Sequence, residues 1–98
     1  MDRLVRVAKA LADINRLKVL AFIAQNKEVC VCEVSQALGY SQPLASKYLK
    51  QLKSAGIIKS QRKGKWSIYS LDDTKLIEPF LDELKNVTLP KIQKCVYC

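Results

Sequence analysis

The sequence contains no histidine. That excludes acid–base chemistry built on imidazole and every imidazole metal ligand. Glycine is scarce, and Gly39, Gly56 and Gly64 stand too far apart to form a phosphate-binding loop. No apolar run reaches about 18 residues, the length a membrane-spanning helix needs. The opening Met1-Asp2-Arg3-Leu4-Val5-Arg6 lacks the apolar region and cleavage site of a secretory signal, so a cytoplasmic location is expected. These absences argue against an enzyme and against a membrane protein.

The 98 residues are enough for one small domain. Hydrophobic residues make up 49% and charged residues 27%, a composition that folds. Seventeen Lys and Arg against nine Asp and Glu leave a net charge of +8. A polyanionic partner fits that balance. Its distribution sharpens the reading. Residues 41–65 carry Lys47, Lys50, Lys53, Lys59, Arg62, Lys63 and Lys65 and no acidic residue.

Apolar spacing predicts a first helix over residues 3–11, with Leu4, Val7, Ala8 and Leu11 on one face. Asp13 can cap a second helix striped by Leu17, Leu20, Ala21 and Ala24. Phe22 and Ile23 fall off that stripe. Asn26-Lys27-Glu28 reads as a polar break. A short third helix follows from about Cys32 to Leu38, and Gly39 is placed to end it. Ser41 then caps a fourth helix with Pro43 in its first turn. Leu44, Ala45, Tyr48, Leu49 and Leu52 face inward; Gln42, Ser46, Lys47 and Lys50 face outward. This pair forms a helix-turn-helix.

Residues 57–62 and 65–71 read as two strands around Lys63-Gly64. On the second, Trp66, Ile68 and Ser70 alternate with Lys65, Ser67 and Tyr69. A basic hairpin directly after a helix-turn-helix is a wing. Arg62, Lys63 and Lys65 at its tip could reach phosphates or the minor groove. The expected class is therefore mainly α with a small β-hairpin, a winged helix-turn-helix.

Asp72 or Asp73 can cap a last helix, which Pro79 should kink or divide near its first turns. Leu76, Ile77, Phe80, Leu81 and Leu84 form an apolar face wider than one small core needs, which suggests a dimer seam shared with Leu4. Residues 1–86 then form the domain, and 87–98 a tail bearing Cys95 and Cys98.

Roughly from Leu11 to Leu71 the chain resembles the ArsR/SmtB family of metal-responsive repressors. The matching pieces are Leu11-Ala12-Asp13 with Arg16-Leu17 and Val19-Leu20, then Val29-Cys30-Val31-Cys32-Glu33-Val34. Ser41-Gln42-Pro43 with Ser46, Leu49 and Leu52, and the wing piece Gly64-Lys65-Trp66, complete them. The resemblance implies a cytoplasmic homodimer on an inverted-repeat operator in double-stranded DNA, released by an inducer. It implies a recognition helix led by Ser41, Gln42, Pro43, Ser46 and Lys47, and wing contacts from Arg62, Lys63 and Lys65. Cys30 and Cys32 match the cysteine pair of arsenic-responsive members. Ser35 stands where those members often carry another cysteine, and Tyr48 where a histidine is frequent.

Cys30, Cys32, Cys95 and Cys98 are candidate ligands. Residues two apart inside a helix do not face each other. Cys30 and Cys32 can share an ion only if Cys30 stays outside helical geometry, as the start of a helix allows. Free N–H groups there also favour thiolates. Thiolate ligands select soft ions. Three suit trivalent arsenic or antimony; four suit zinc or cadmium. A disulfide framework is disfavoured by the intracellular character of the rest. Arsenite is the expected inducer. Cadmium or zinc, a thiol redox or persulfide signal, and an architectural DNA-binding role with structural cysteines are the alternatives.

Overall fold

Asp13 starts the central helix as expected: it is extended, and its carboxylate accepts from the Asn15 N–H at 3.2 Å. In the computed structural model, which describes residues 1–72, 74–84, 86 and 89, the elements run in this order: α1 (Asp2–Leu11), α2 (Ile14–Asn26), β1 (Glu28–Cys30), α3 (Val31–Leu38), α4 (Gln42–Ser54), β2 (Ile58–Lys63), β3 (Trp66–Leu71) and α5 (Glu78–Leu84). The strands form one antiparallel sheet in the order β1-β3-β2. The described chain is thus the expected winged helix-turn-helix.

Val19, Leu20, Ala21, Phe22 and Ile23 are all fully buried, so α2 is enclosed nearly all round. It packs against α1, α3, α4, α5, β1 and β3. That places Phe22 and Ile23, which a one-sided stripe could not accommodate. Among the described residues no polar or charged side chain is buried.

The polar break is a turn at Lys27 (φ 69°) followed by β1, a strand absent from the sequence reading. The α3–α4 turn closes through Gly39, left-handed at φ 75°, a region that favours glycine. The hairpin turns on Gly64 and Lys65, one residue later than expected, with Lys63 paired to Trp66. Gly64 takes the first loop position at φ 62° while Lys65 keeps negative φ, the demand of a type II′ turn.

Pro79 does not kink the last helix. It is the second residue of α5, where a missing N–H disturbs no helical bond. The preceding turn closes from the Ile77 N–H to the Thr74 carbonyl at 3.0 Å. Asp72 serves the sheet instead of the cap, its N–H donating to the Ile57 carbonyl at 3.0 Å. Asp73 lies outside the described residues, as do Cys95, Cys98 and most of the 87–98 tail.

Candidate nucleic-acid interface and cysteine site

Ser41 caps α4, its hydroxyl oxygen accepting from the Leu44 N–H at 3.3 Å. Ala45, Tyr48, Leu49 and Leu52 are buried and Leu44 half-buried, which anchors one face of the helix. The opposite face presents Ser41, Gln42, Pro43, Lys47 and Lys50 to solvent, with Ser46 half-buried. A shallow groove runs along it, lined by Pro43, Ser46, Lys47, Lys50, Gln51 and Ser54.

The turn before α4 is held at several points. The Ser35 hydroxyl donates to the Tyr40 carbonyl at 2.6 Å, and the Tyr40 hydroxyl donates to Asn15 Oδ1 at 3.0 Å. The Tyr40 ring meets Tyr48 edge-on, with centroids 5.2 Å apart. Burial raises the Tyr40 phenol above its ordinary value, with Tyr48 and Asp13 adding to the shift. Ser35 and Tyr48, the two departures from the family pattern, therefore both serve this turn.

In the wing, Arg62, Lys63 and Lys65 are exposed. Lys63 Nζ lies 3.0 Å from Glu28 Oε2, an exposed ion pair that ties the wing to β1. On β3, Tyr69 is buried in the main core, while Ile68 on the other face covers the cysteines.

Cys30 ends β1 and caps α3 with extended backbone (φ −106°, ψ 167°). It therefore stays outside helical geometry, as chelation with Cys32 requires. Its N–H donates to Glu33 Oε1 at 2.9 Å. Cys30 and Cys32 are buried together with Ile68, apart from the main core. They open onto a cavity lined by Cys30, Val31, Cys32, Gln42, Trp66 and Ser67. The expectation that disulfides are disfavoured is corrected: Cys30 and Cys32 are both disulfide-bonded.

The apolar face of α5 divides. Ile77 and Leu81 are buried in the chain's own core. Leu84 is half-buried against it. Leu4, Leu76 and Phe80 remain exposed. Together with Val7, Ala8, Leu11 and Ala12 they line a cavity between α1 and α5. Trp66 and Ser67 as walls of the cysteine cavity escaped the sequence reading. So did the contact of that cavity with Gln42: Trp66 and Ser67 arrive through the unseen β1–β3 pairing, and Gln42 through the packing of α4 on α3.

Residues 13–60 match the family described as "Bacterial regulatory protein, arsR family". The chain is 48% identical over 65 residues to arsenic resistance transcriptional regulator ArsR1 of Pseudomonas putida, covering 66% of this chain and 51% of that protein. It thus spans about half the length of that relative. To ArsR2 of the same organism it is 39% identical over 83 residues, 85% of this chain and 70% of the relative. The homodimeric winged helix-turn-helix DNA-binding domain of Mb0332 from Mycobacterium bovis superposes with a TM-score of 0.74 at 34% identity, over 81% of this chain and 72% of that one.

Proposed function

This chain belongs to the arsR family of bacterial regulatory proteins, and on that premise we propose that it is a cytoplasmic, homodimeric repressor that leaves an inverted-repeat operator when trivalent arsenic binds its cysteines. It is a regulator and not an enzyme. Among the described residues no helix is long and apolar enough to cross a membrane.

One observation carries the reading. The cavity at Cys30 and Cys32 is walled by Gln42, the first residue of α4, and by Trp66 and Ser67 of the wing. An ion held there sits where the two DNA-facing elements meet. Drawing two sulfurs onto one centre must move Cys30 against the first turn of α3. Gln42 and Trp66 then shift with it, and the wing and α4 lose their common geometry. The sulfurs must be reduced thiolates for this, since a disulfide sulfur is a poor ligand. Cys95 and Cys98, in the 87–98 tail, supply further thiolates in this reading. To drive release about 10⁴-fold, the inducer must favour the DNA-free form by about 5.5 kcal/mol.

On DNA, Ser41, Gln42, Pro43, Ser46, Lys47 and Lys50 meet the major groove, and Arg62, Lys63 and Lys65 meet the backbone. The dimer seam is built on Leu4, Leu76 and Phe80, whose exposed side chains leave apolar surface between α1 and α5.

A second reading, a thiol-redox repressor, is favoured by the disulfide state of Cys30 and Cys32. A gel shift separates the two. The operator is selected from a random duplex library, and the reduced protein is challenged with arsenite, antimonite, cadmium, zinc or a thiol oxidant. Arsenite should release the parent chain and fail on Cys30→Ser and Cys32→Ser, which still bind the operator. Release by oxidant alone selects the redox reading. Arsenite release that survives in Cys30→Ser removes this site from the mechanism.

A further inference from the structure

Beyond α4 and the wing, a third basic surface lies at the far end of α4. A second cavity is lined by Arg6, Lys9, Ala10, Arg16, Gln51, Ser54 and Ala55. It shares Gln51 and Ser54 with the groove along α4, so the two are continuous. No carboxylate lines either one. The continuous band therefore carries Lys47, Lys50, Arg6 and Lys9.

Arg16 makes the junction rigid. Its Nε donates to the Ala10 carbonyl at 2.7 Å, one terminal nitrogen to the Lys9 carbonyl at 2.9 Å, and the other to Gln51 Oε1 at 3.1 Å. Asp13 Oδ2 stands 3.3 Å from that last nitrogen, which offsets the charge of Arg16 itself. One guanidinium thus fixes the end of α1 against α4. Arg6 and Lys9 differ from it: both are exposed, and neither side chain has a hydrogen-bond or ion-pair partner among the described residues.

We infer that Arg6 and Lys9 form a phosphate-binding surface for the DNA flanking the segment that α4 reads. The inference rests on the DNA-binding reading above. Gln42 to Ser54 spans about 18 Å at 1.5 Å per residue. The major groove is only about 12 Å wide and 8.5 Å deep. A helix that enters by its N-terminal turns must bring its C-terminal end out beside a phosphate strand. Arg6 and Lys9 lie there, on a surface lined by basic side chains and no carboxylate. They also lie about 200° and 140° around α1 from Leu4, at 100° per residue, so they are clear of the α1–α5 seam.

The test is the salt dependence of binding, read by fluorescence anisotropy on the selected operator and on an unrelated duplex. Each phosphate contact contributes about 0.9 to the slope of log K against log salt. Arg6→Gln with Lys9→Gln should lower the slope by about 1.8 on both duplexes. Between roughly 50 and 200 mM salt, that makes binding about tenfold less salt-sensitive. Lys18→Gln with Lys75→Gln removes the same charge elsewhere and should move the slope by less than half as much. If the double variant folds poorly, Lys9→Gln alone should lower the slope by about 0.9. Equal slopes for the Arg6/Lys9 variant and the charge-matched control overturn the inference while the DNA-binding reading stands. A parent chain that binds neither duplex overturns both.

Discussion

Phe80→Ala separates the seam from the core. Phe80 is 53% exposed in the single chain, whereas Ile77, three residues earlier, is 1% exposed. A phenylalanine side chain buries about 200 Å² when fully enclosed, so roughly 100 Å² of Phe80 is left for a partner. At about 25 cal/mol/Å² that is about 2.5 kcal/mol per protomer. A two-fold seam uses the residue twice, giving about 5 kcal/mol per dimer. Interfaces return only part of such area as affinity, so the dissociation constant should rise by roughly two to three powers of ten. Sedimentation over a concentration series measures it. Ile77→Ala should behave differently, destabilising the fold itself by about 2–5 kcal/mol in urea titration. A dimer constant unchanged by Phe80→Ala would refute the assignment of this face. So would a weakened dimer in Ile77→Ala with undiminished fold stability.

Glu28→Gln should raise affinity for every DNA sequence by up to about fivefold, because it frees Lys63 from an exposed pair worth about 0–1 kcal/mol. Anisotropy in the Lys63→Ala background checks this: a gain that persists there means the ion pair is not its cause. Tyr40→Phe should cost about 1 kcal/mol near neutral pH through the lost bond to Asn15. The raised phenol pKa of Tyr40 favours the neutral form on folding. Its stabilisation is fully present below the unfolded value, about pH 10, and is lost as pH rises through the folded one. Urea titration at about pH 8 and about pH 11 should show a shallower alkaline loss in Tyr40→Phe than in the parent; equal losses reject the linkage.

Local chemistry made much of the scaffold legible. Asp13 and Ser41 cap because a short oxygen-bearing side chain meets unpaired N–H groups at a helix start. Gly39 ends α3 for an equally local reason, its left-handed backbone. The outward stripe of α4 followed from helical period alone. Pro79 shows the limit: proline marks a helix boundary, and whether it starts or bends the helix depends on where the preceding turn closes.

By itself, then, the sequence determined the element types, their caps, the winged helix-turn-helix and the basic segment from 41 to 65, since each depends on neighbours along the chain. Tertiary structure decided the rest. Three-residue β1 exists only because β3 pairs with it, aligning Cys30 with Ile68. That pairing brings the cysteines beside Trp66 and Ser67, while the packing of α4 on α3 adds Gln42 to the same cavity. Burial all round the central turn of α2 depends on the helices and strands around it, and so does the division of α5 between core and surface. Such contacts join residues far apart in sequence. They form only when the loops between them close, and periodicity within one segment carries no record of that closure.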